Sequence, residues 1–513
     1  MKKNLINILL SVFSGVLCFL AFPNFGYDFL AWIALVPLFI AIRKVNPEKS
    51  FVYGYIAGII FFGGLLYWLP NVTIPGTIFL IIILALFYGL FFYIAGVLNR
   101  YSMNLLILPF VWVAIEFLRG YILTGFPWGF LGYTQYKKLI FIQIADLTGC
   151  YGVSFFLVAF NIAFYEYIIR YKHMIRHMVF TLAVILMVFA YGQYKLDEKH
   201  YEVGTPSVTI VQGNIPQVNK WNIKYAEEIV KKYTNLTREI MKDNSASLIV
   251  WPETAYPYLV DDFESAVEVK TLAQEYGTPI LTGMVYRDNN FYYNSAAFFD
   301  ERGVFAEKYY KTHLVPFGEY IPLTEYLSFL RRYIDKPIGE YARGDEYTLI
   351  RLKSRVSSRG ENNSIMRWMN VYEFGVMICF EDIFPYIARE FTREGADFLI
   401  NITNDAWFGK TSAQEQHLIA SVFRAVENRR PVIRAANTGV SCFIDFKGNI
   451  VERLNAKGED TFVEGTLNRV INIIDKKSFY TVYGDMFVYL CGLVMIIFFS
   501  WQIIFYEHDR DNR

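Results

Sequence analysis

The chain has 513 residues, 54% of them apolar and 18% aromatic, which is too long for one domain and too apolar for a wholly water-soluble protein. Its 49 Lys and Arg balance 48 Asp and Glu, so there is no basic excess to neutralise phosphates, and nucleic acid is not expected as a partner. Five cysteines (Cys18, Cys150, Cys379, Cys442 and Cys491), odd in number and without CxxC spacing, argue against both a disulfide framework and a zinc site.

Apolar residues concentrate at the two ends. Before about Lys195, seven runs are long enough, or nearly so, to cross a bilayer, which takes roughly 20 residues each. They are Asn4 to Phe22, Tyr27 to Ile42, Phe51 to Leu69, Ile74 to Leu98, Met103 to Leu118, Tyr151 to Ile169 and Met178 to Gly192. An eighth runs from Met486 to Phe505. Lys2 and Lys3 precede the first run as in a secretory signal. That run is long, however, has no A-x-A site, and carries Leu17 before Cys18 where a lipoprotein signal needs a small residue. An uncleaved first helix is expected.

If every run spans, Lys2, Lys3, Arg43, Lys44, Lys49, Arg100, Arg170, Lys172, Arg176, Arg510 and Arg513 all fall on one side, which is then the cytoplasm. The expected organisation is a seven-helix transmembrane region over residues 1–200, an external α/β domain over 203–475, an eighth helix over 480–506 and a cytoplasmic tail over 507–513. Arg119 to Gly149, which holds Lys137 and Lys138, is long enough to fold back into the outer interface.

The external stretch reads as short β-rich runs separated by polar helical ones. Strands are expected at Ser207 to Ile215, Ser247 to Trp251, Pro279 to Tyr286, Tyr293 to Asp300, Phe374 to Phe380, Asp397 to Thr403 and Pro431 to Asn437. Helices are expected at Tyr225 to Asp243, Ser265 to Tyr276 and Ser412 to Arg429. In layered α/β domains, polar residues at the carboxyl ends of buried strands meet ligands.

Three candidates lie at or near such positions. Glu253 follows "LIVWP", Lys311 sits in "EKYYKTHLVPFGEYIP", and Cys379 closes "FGVMI". A thiol becomes a nucleophile once a base removes its proton, and a cation can stabilise the oxyanion it creates, so the three form a set suited to acyl transfer. Each also has a plain alternative: a buried cysteine as a small hydrophobe, a glutamate capping a turn, a solvated lysine. Spacing alone leaves both readings open. His313 and His417 have no metal-binding spacing around them and read as packing or hydrogen-bonding residues. The basic run Arg351 to Asn363 reads as a solvated loop.

"QGNIPQVNKW", "VWPETAYP", "KTHLVPFGEYIP", "MICFED", "NITNDAWFG", "QHL" and "RAVENRRPVIRAANTG" follow one another in an order that resembles the apolipoprotein N-acyltransferase family. "EFLRGYILTGFPWGFLGYTQ" extends the resemblance into the membrane part. It implies a bacterial cytoplasmic-membrane protein with a nitrilase-like external domain, an α-β-β-α sandwich. It also implies Glu253 as general base, Lys311 as stabiliser of the tetrahedral intermediate and Cys379 as nucleophile. Glu319 and Glu381 are implied as supports, together with Phe380, where some relatives have tyrosine. Trp221 matches a position tied to substrate handling.

The implied reaction moves a fatty acyl chain from a membrane phospholipid, through a Cys379 thioester, to the N-terminal amine of a diacylglyceryl apolipoprotein. No cofactor or metal is implied, and a monomer is expected. The rival reading is a membrane-anchored nitrilase-like amidase using the same Glu, Lys and Cys.

Overall fold

The computed structural model describes residues 2–511 apart from 24, 102, 221, 289–290, 321–340 and 357–366, so Trp221 lies outside the described residues. The chain divides into two compact units, Met1–Glu198 with Tyr483–Arg513, and Lys199–Val482.

Among the described residues of the first unit, five helices are long and apolar enough to cross a membrane: Lys2–Leu20, Ile74–Arg100, Cys150–Ile168, Met174–Asp197 and Met486–Ile503. The other three apolar runs do not form single helices that meet that length and apolarity. Phe51 to Leu69 lies mostly in the helix Pro47–Leu65, whose polar first turn shortens its apolar part. Met103 to Leu118 holds a 3₁₀ turn and the 14-residue helix Leu108–Tyr121, about 21 Å long at 1.5 Å per residue, against a hydrocarbon core of about 30 Å.

Tyr27 to Ile42 is broken into a 3₁₀ turn, Asp28–Trp32, and a short helix, Val36–Ile42, with Pro37 in its first turn. Proline fits there because its missing N–H would have no partner in the helix. The break exposes backbone groups among apolar neighbours, where unpaired ones are costly. Asn161 of the helix Cys150–Ile168 meets both sides of it. Its Oδ1 accepts from Leu35 N at 2.9 Å, and its Nδ2 donates to Ala31 O at 2.9 Å.

Within Arg119 to Gly149, Trp128, Phe130, Leu131 and Tyr133 are buried within the helical unit. The buried Arg119 guanidinium organises the turn. It donates to the carbonyls of Phe126 (3.3 Å), Trp128 (2.6 Å) and Gly129 (3.2 Å), and lies 4.7 Å from the centre of the Phe130 ring. Glu116 Oε1 accepts from Leu131 N at 2.8 Å. Aromatic mass and a capped cation together hold the segment inside.

The second unit is built on strands β1 (Glu202–Gly204), β2 (Ser207–Gln212), β3 (Leu248–Val250), β4 (Tyr256–Val260), β5 (Ile280–Asp288), β6 (Phe291–Phe299), β7 (Phe305–Tyr310), β8 (Ile350–Val356), β9 (Arg367–Ile378), β10 (Phe398–Thr403), β11 (Val432–Ala436), β12 (Cys442–Ile444), β13 (Ile450–Arg453), β14 (Gly465–Val470) and β15 (Ile473–Ile474). Among the described residues one sheet runs β14-β2-β3-β5-β6-β7, with β4 on β5, and another runs β13-β12-β11-β10-β9-β8; β1 pairs separately with β15.

The centres of both sheets are parallel: β2, β3 and β5 in one, β9, β10 and β11 in the other. Parallel strands are buried on both faces, which is why "LIV", "FLINIT" and "VIRAA" are continuous runs with little alternation. The helices Ala226–Met241, Val267–Tyr276, Pro385–Glu394 and Ala413–Asn428 lie between strands in the chain. Polar contacts join the two sheets, since Ser441 Oγ donates to Gln212 Oε1 and Asn437 exchanges two 2.8 Å hydrogen bonds with the backbone of Ile215.

The expected solvated loop at Arg351 to Asn363 is corrected in its first part. Arg351 to Val356 belong to β8, paired antiparallel with β9. The run alternates, with Ile350 and Leu352 buried and Arg351 and Lys353 exposed, the pattern of an edge strand whose charges face water. Residues 357–363 lie outside the described residues.

Candidate active site

Three strand ends deliver the candidate residues. Glu253 follows β3, Lys311 follows β7 and Cys379 follows β9. All three are nearly buried, at 7%, 1% and 8% exposure.

Backbone strain gathers around them. Asn214, Thr254, Phe317 and Cys379 have φ of 50°, 45°, 60° and 54°, in the left-handed region that costs an ordinary L-residue roughly 1–2 kcal/mol. Each left-handed residue is a candidate or lies in a loop that carries one of the matched motifs. Glu253 also depends on an empty space beside it. A Cβ on Gly283 of β5 would come within 2.5 Å of Thr254 N and 2.6 Å of Glu253 Cα, so only glycine lets the turn lie against the sheet.

The carboxylates and the ammonium form one array. Lys311 Nζ lies 2.9 Å from Glu319 Oε1 and 3.9 Å from Glu253 Oε1. Asn294 Nδ2, from β6, donates to Glu253 Oε1 and to Glu319 Oε1, each at 2.8 Å, while Asn294 O accepts from Lys311 N at 2.9 Å. Glu319 Oε2 accepts from Val315 N at 2.8 Å. Burial alone would push Lys311 down, but Glu319 and then Glu253 outweigh it and hold the ammonium well above its usual range. It stays charged.

The thiol of Cys379 is pushed up, first by burial and then by Glu253, with Lys311 acting against both. At rest it therefore keeps its proton, and a base must take that proton as the sulfur attacks. Cys379 sits on a sharp turn whose geometry is fixed from behind. Glu381, fully buried, accepts from Ile378 N (2.7 Å) through Oε2. Through Oε1 it accepts from Thr312 N (2.7 Å), Tyr309 Oη (2.8 Å), Thr312 Oγ1 (2.9 Å) and His313 N (3.1 Å). One carboxylate thus ties the loop of Lys311 to the turn of Cys379. Phe380 is half-buried, its ring 5.2 Å from that of Phe384 and 6.2 Å from that of His313.

Beneath the nucleophile lies an ion network that the sequence did not announce. His417 Nε2 is 2.8 Å from Asp382 Oδ1 and its Nδ1 is 2.8 Å from Asp405 Oδ1, while Arg434 reaches Asp382 Oδ2 at 2.8 Å and Asp405 Oδ2 at 3.2 Å. Burial and Arg434 push His417 down, yet the two aspartates prevail and raise it to about 9. The Cys379 carbonyl accepts from Asn401 Nδ2 at 3.0 Å, and His417 Nε2 lies 3.3 Å from it. His417 thus packs against the backbone of the Cys379 turn. The His313 ring lies tilted with its centre 3.7 Å from that of Phe384, and its pKa is lowered to about 4, chiefly by burial and then by Lys311. No group of His, Cys, Asp and Glu able to hold a metal occurs among the described residues.

Sequence reasoning missed two residues of the site. One is Asn294, whose only signal is an amide in a mostly apolar strand. The other is Lys220, a buried lysine of the four-residue helix Gln217–Lys220 whose Nζ donates to Glu253 O at 2.7 Å. The resemblance marks only the tryptophan of the Lys-Trp pair.

Residues 14–163 match the family model of the apolipoprotein N-acyltransferase N-terminal domain, and residues 207–470 match that of carbon-nitrogen hydrolases. The apolipoprotein N-acyltransferase of Geobacter metallireducens is 36% identical over 509 residues, covering 94% of this chain and 92% of its own. Apolipoprotein N-acyltransferase 1 of Treponema denticola is 29% identical, covering 97% and 96%. A carbon-nitrogen hydrolase of Helicobacter pylori covers 52% of this chain and 89% of its own at 17% identity with a TM-score of 0.37, too low to carry an argument.

Proposed function

The chain belongs to the apolipoprotein N-acyltransferase family, and from that premise we propose how this membrane enzyme moves a fatty acyl chain from a phospholipid to the N-terminal amine of a diacylglyceryl apolipoprotein. The observation that carries the reading is the array in which Lys311 and Asn294 hold Glu253 and Glu319 together while Cys379 stands at the strained end of β9.

In the first half-reaction Glu253 takes the Cys379 proton as sulfur attacks the ester carbonyl of the phospholipid. The oxyanion that forms faces the Lys311 ammonium, and collapse breaks the bond to the glycerol oxygen, which leaves with the proton from Glu253. The acyl chain is then a thioester on Cys379. In the second half-reaction the incoming amine attacks that thioester, gives a proton to Glu253, and forms the amide as sulfur departs and is reprotonated.

Ester to thioester is a near-balanced exchange and thioester to amide runs downhill, so no external energy source is needed. An α-amine, with a pKa of about 7.7–8.0, is neutral in roughly a tenth of molecules at pH 7, whereas a lysine amine almost never is. That difference favours the chain terminus. Glu319 and Glu381 position the base, cation and nucleophile, and Trp221 contacts substrate.

The finer architecture belongs to the same proposal. The second unit is an α-β-β-α sandwich, and all eight apolar runs cross the bacterial cytoplasmic membrane, with the broken Tyr27 to Ile42 counted as one crossing. Residues 203–475 face outward and the enzyme works as a monomer. Basic residues on alternate loops support this orientation. A reporter fused after Arg513, or inserted within Arg43 to Lys49, is expected to read cytoplasm and one within Arg351 to Asn363 the external face; a cytoplasmic signal from the last would reverse the domain.

Product analysis tests the chemistry. With phospholipid and a diacylglyceryl peptide, the purified protein is expected to yield an N-acylated peptide. Free fatty acid without acylated peptide would favour the amidase-type reading, in which water discharges the thioester.

A further inference from the structure

The nucleophile has a neighbour on the adjoining strand. β10 runs parallel to β9 with Ile402 opposite Ile378, so the next residue is Thr403 on one strand and Cys379 on the other. Thr403 is fully buried, and its backbone is held from the far side, where Asn437 N donates to its carbonyl at 3.0 Å. Its Oγ1 donates to Asp405 Oδ1 at 3.2 Å and also hydrogen-bonds the Cys379 sulfur. The proposed mechanism leaves this hydroxyl unused.

One hydroxyl carries one proton and cannot donate fully to two acceptors at once. An ionised Asp405 can only accept. Burial would push its carboxyl up, but His417 and then Arg434 outweigh burial and hold it below the usual carboxylate range. With the thiol protonated at rest, the consistent arrangement is a chain in which S–H donates to Thr403 Oγ1 and the Thr403 O–H donates to Asp405. An anionic sulfur can only accept, and a donor beside it gains a charge-assisted bond. Asp405 stays partnered when the hydroxyl turns away, because His417 Nδ1 lies 2.8 Å from the same Oδ1 and Arg434 reaches Oδ2 at 3.2 Å.

We propose that Thr403 is a further catalytic residue, whose hydroxyl rests on Asp405 while the Cys379 sulfur is protonated or acylated and turns to donate to that sulfur when it is an anion. The inference rests on the functional reading above. In the first half-reaction the Cys379 proton passes to Glu253 as sulfur attacks, and Thr403 redirects its O–H without giving up a proton. In the second, the bond between sulfur and the acyl carbon breaks, its electron pair goes to sulfur, and the same O–H meets that charge before reprotonation. A bond that strengthens as sulfur becomes anionic lowers both barriers without tightening the hold on either substrate. Burial and then Glu253 push the thiol up, Lys311 pulls it down, Asp405 pushes it up, and the Thr403 hydrogen bond pulls it down, the sign expected of a donor to the anion.

The test uses the full-length protein in detergent. Thr403→Val keeps the shape of the side chain and loses the hydroxyl, whereas Thr403→Ser keeps the hydroxyl and loses a methyl. Alkylation of Cys379 by iodoacetamide, with the adduct located by mass spectrometry, reads the sulfur without any lipid: the S–H proton passes to Glu253, sulfur bonds to the methylene carbon and iodide leaves. Thr403→Val is expected to be alkylated about tenfold or more slowly than the wild type, and Thr403→Ser within about threefold of it. The infrared S–H stretch of Cys379, isolated by subtracting the spectrum of Cys379→Ala, is expected to shift in Thr403→Val and to stay in place in Thr403→Ser.

An unmoved S–H band in Thr403→Val would reduce Thr403 to a structural hold on Asp405 and overturn the proposal. Thr403→Ser as slow as Thr403→Val would make the methyl, and hence packing, the working part, with the same result. If the Val variant fails to fold, Thr403→Ala against Thr403→Ser differs by the hydroxyl alone and gives the same comparison. Neither readout involves acyl transfer: failure of the wild type to acylate a peptide would strike the functional reading, while an unmoved band would strike only the role of Thr403.

Discussion

Cys379→Ala is expected to form no covalent adduct with phospholipid and to transfer no acyl chain, a loss of about 10,000-fold or more, because nothing else in the array can carry the acyl group between two substrates. With phospholipid alone the wild type should accumulate an acyl-enzyme on Cys379, and a diacylglyceryl peptide should discharge it with ping-pong kinetics. Cys379→Ser should be severely impaired, since an alkoxide is harder to generate and a poorer leaving group than a thiolate. Intact-mass measurement reads the adduct and peptide mapping places it. Acyl transfer surviving in Cys379→Ala, or label on Cys150 or Cys442, would remove β9 as the nucleophile strand. Both of those cysteines are buried, and burial pushes Cys442 up to about 12, as suits inert thiols.

Lys311→Arg should fail nearly as badly as Lys311→Ala, by about 100- to 1,000-fold in kcat. The lysine is 1% exposed and wedged between Glu319 at 2.9 Å and Glu253 at 3.9 Å. A guanidinium keeps the charge but spreads it over a planar fork that prefers to pair with one carboxylate in two-point fashion, so the charge would leave the place where the oxyanion forms. Thermal unfolding of both variants in detergent separates loss of fold from loss of chemistry. Near-normal turnover by Lys311→Arg would reduce the residue to a structural counter-ion.

The residues at strand ends were legible because the strands were. Cys379 follows the five buried-looking residues "FGVMI", and Glu253 follows "LIVWP", so the period and composition of the chain marked where each strand stops. What stayed hidden was everything carried by side-chain geometry across the chain. Arg434 and Asp382 are 52 positions apart and meet at 2.8 Å only because β11 lies two strands from β9. A charged residue within "PVIRAAN" was a clue that something buried had to neutralise it. Glu381 could be named as a support, but its five donors come from both the β7 loop and its own turn, which no spacing predicts.

In the membrane unit the apolar runs were plain, yet apolarity says nothing about whether the backbone inside a run is continuous. Tyr27 to Ile42 reads as one stretch and folds as two. The edge strand β8 reads as a loop because the charges on its outer face mask its alternation.

The interruption in Tyr27 to Ile42 bears on how the protein is made. The amide and carbonyl groups at Leu35 and Ala31 find their side-chain partner in Asn161, 126 and 130 residues further along. During synthesis, the early segments are therefore made well before the residue that joins them. Until Asn161 is in place the interruption lacks its side-chain partner, which gives folding of this unit a late closing step set by one amide.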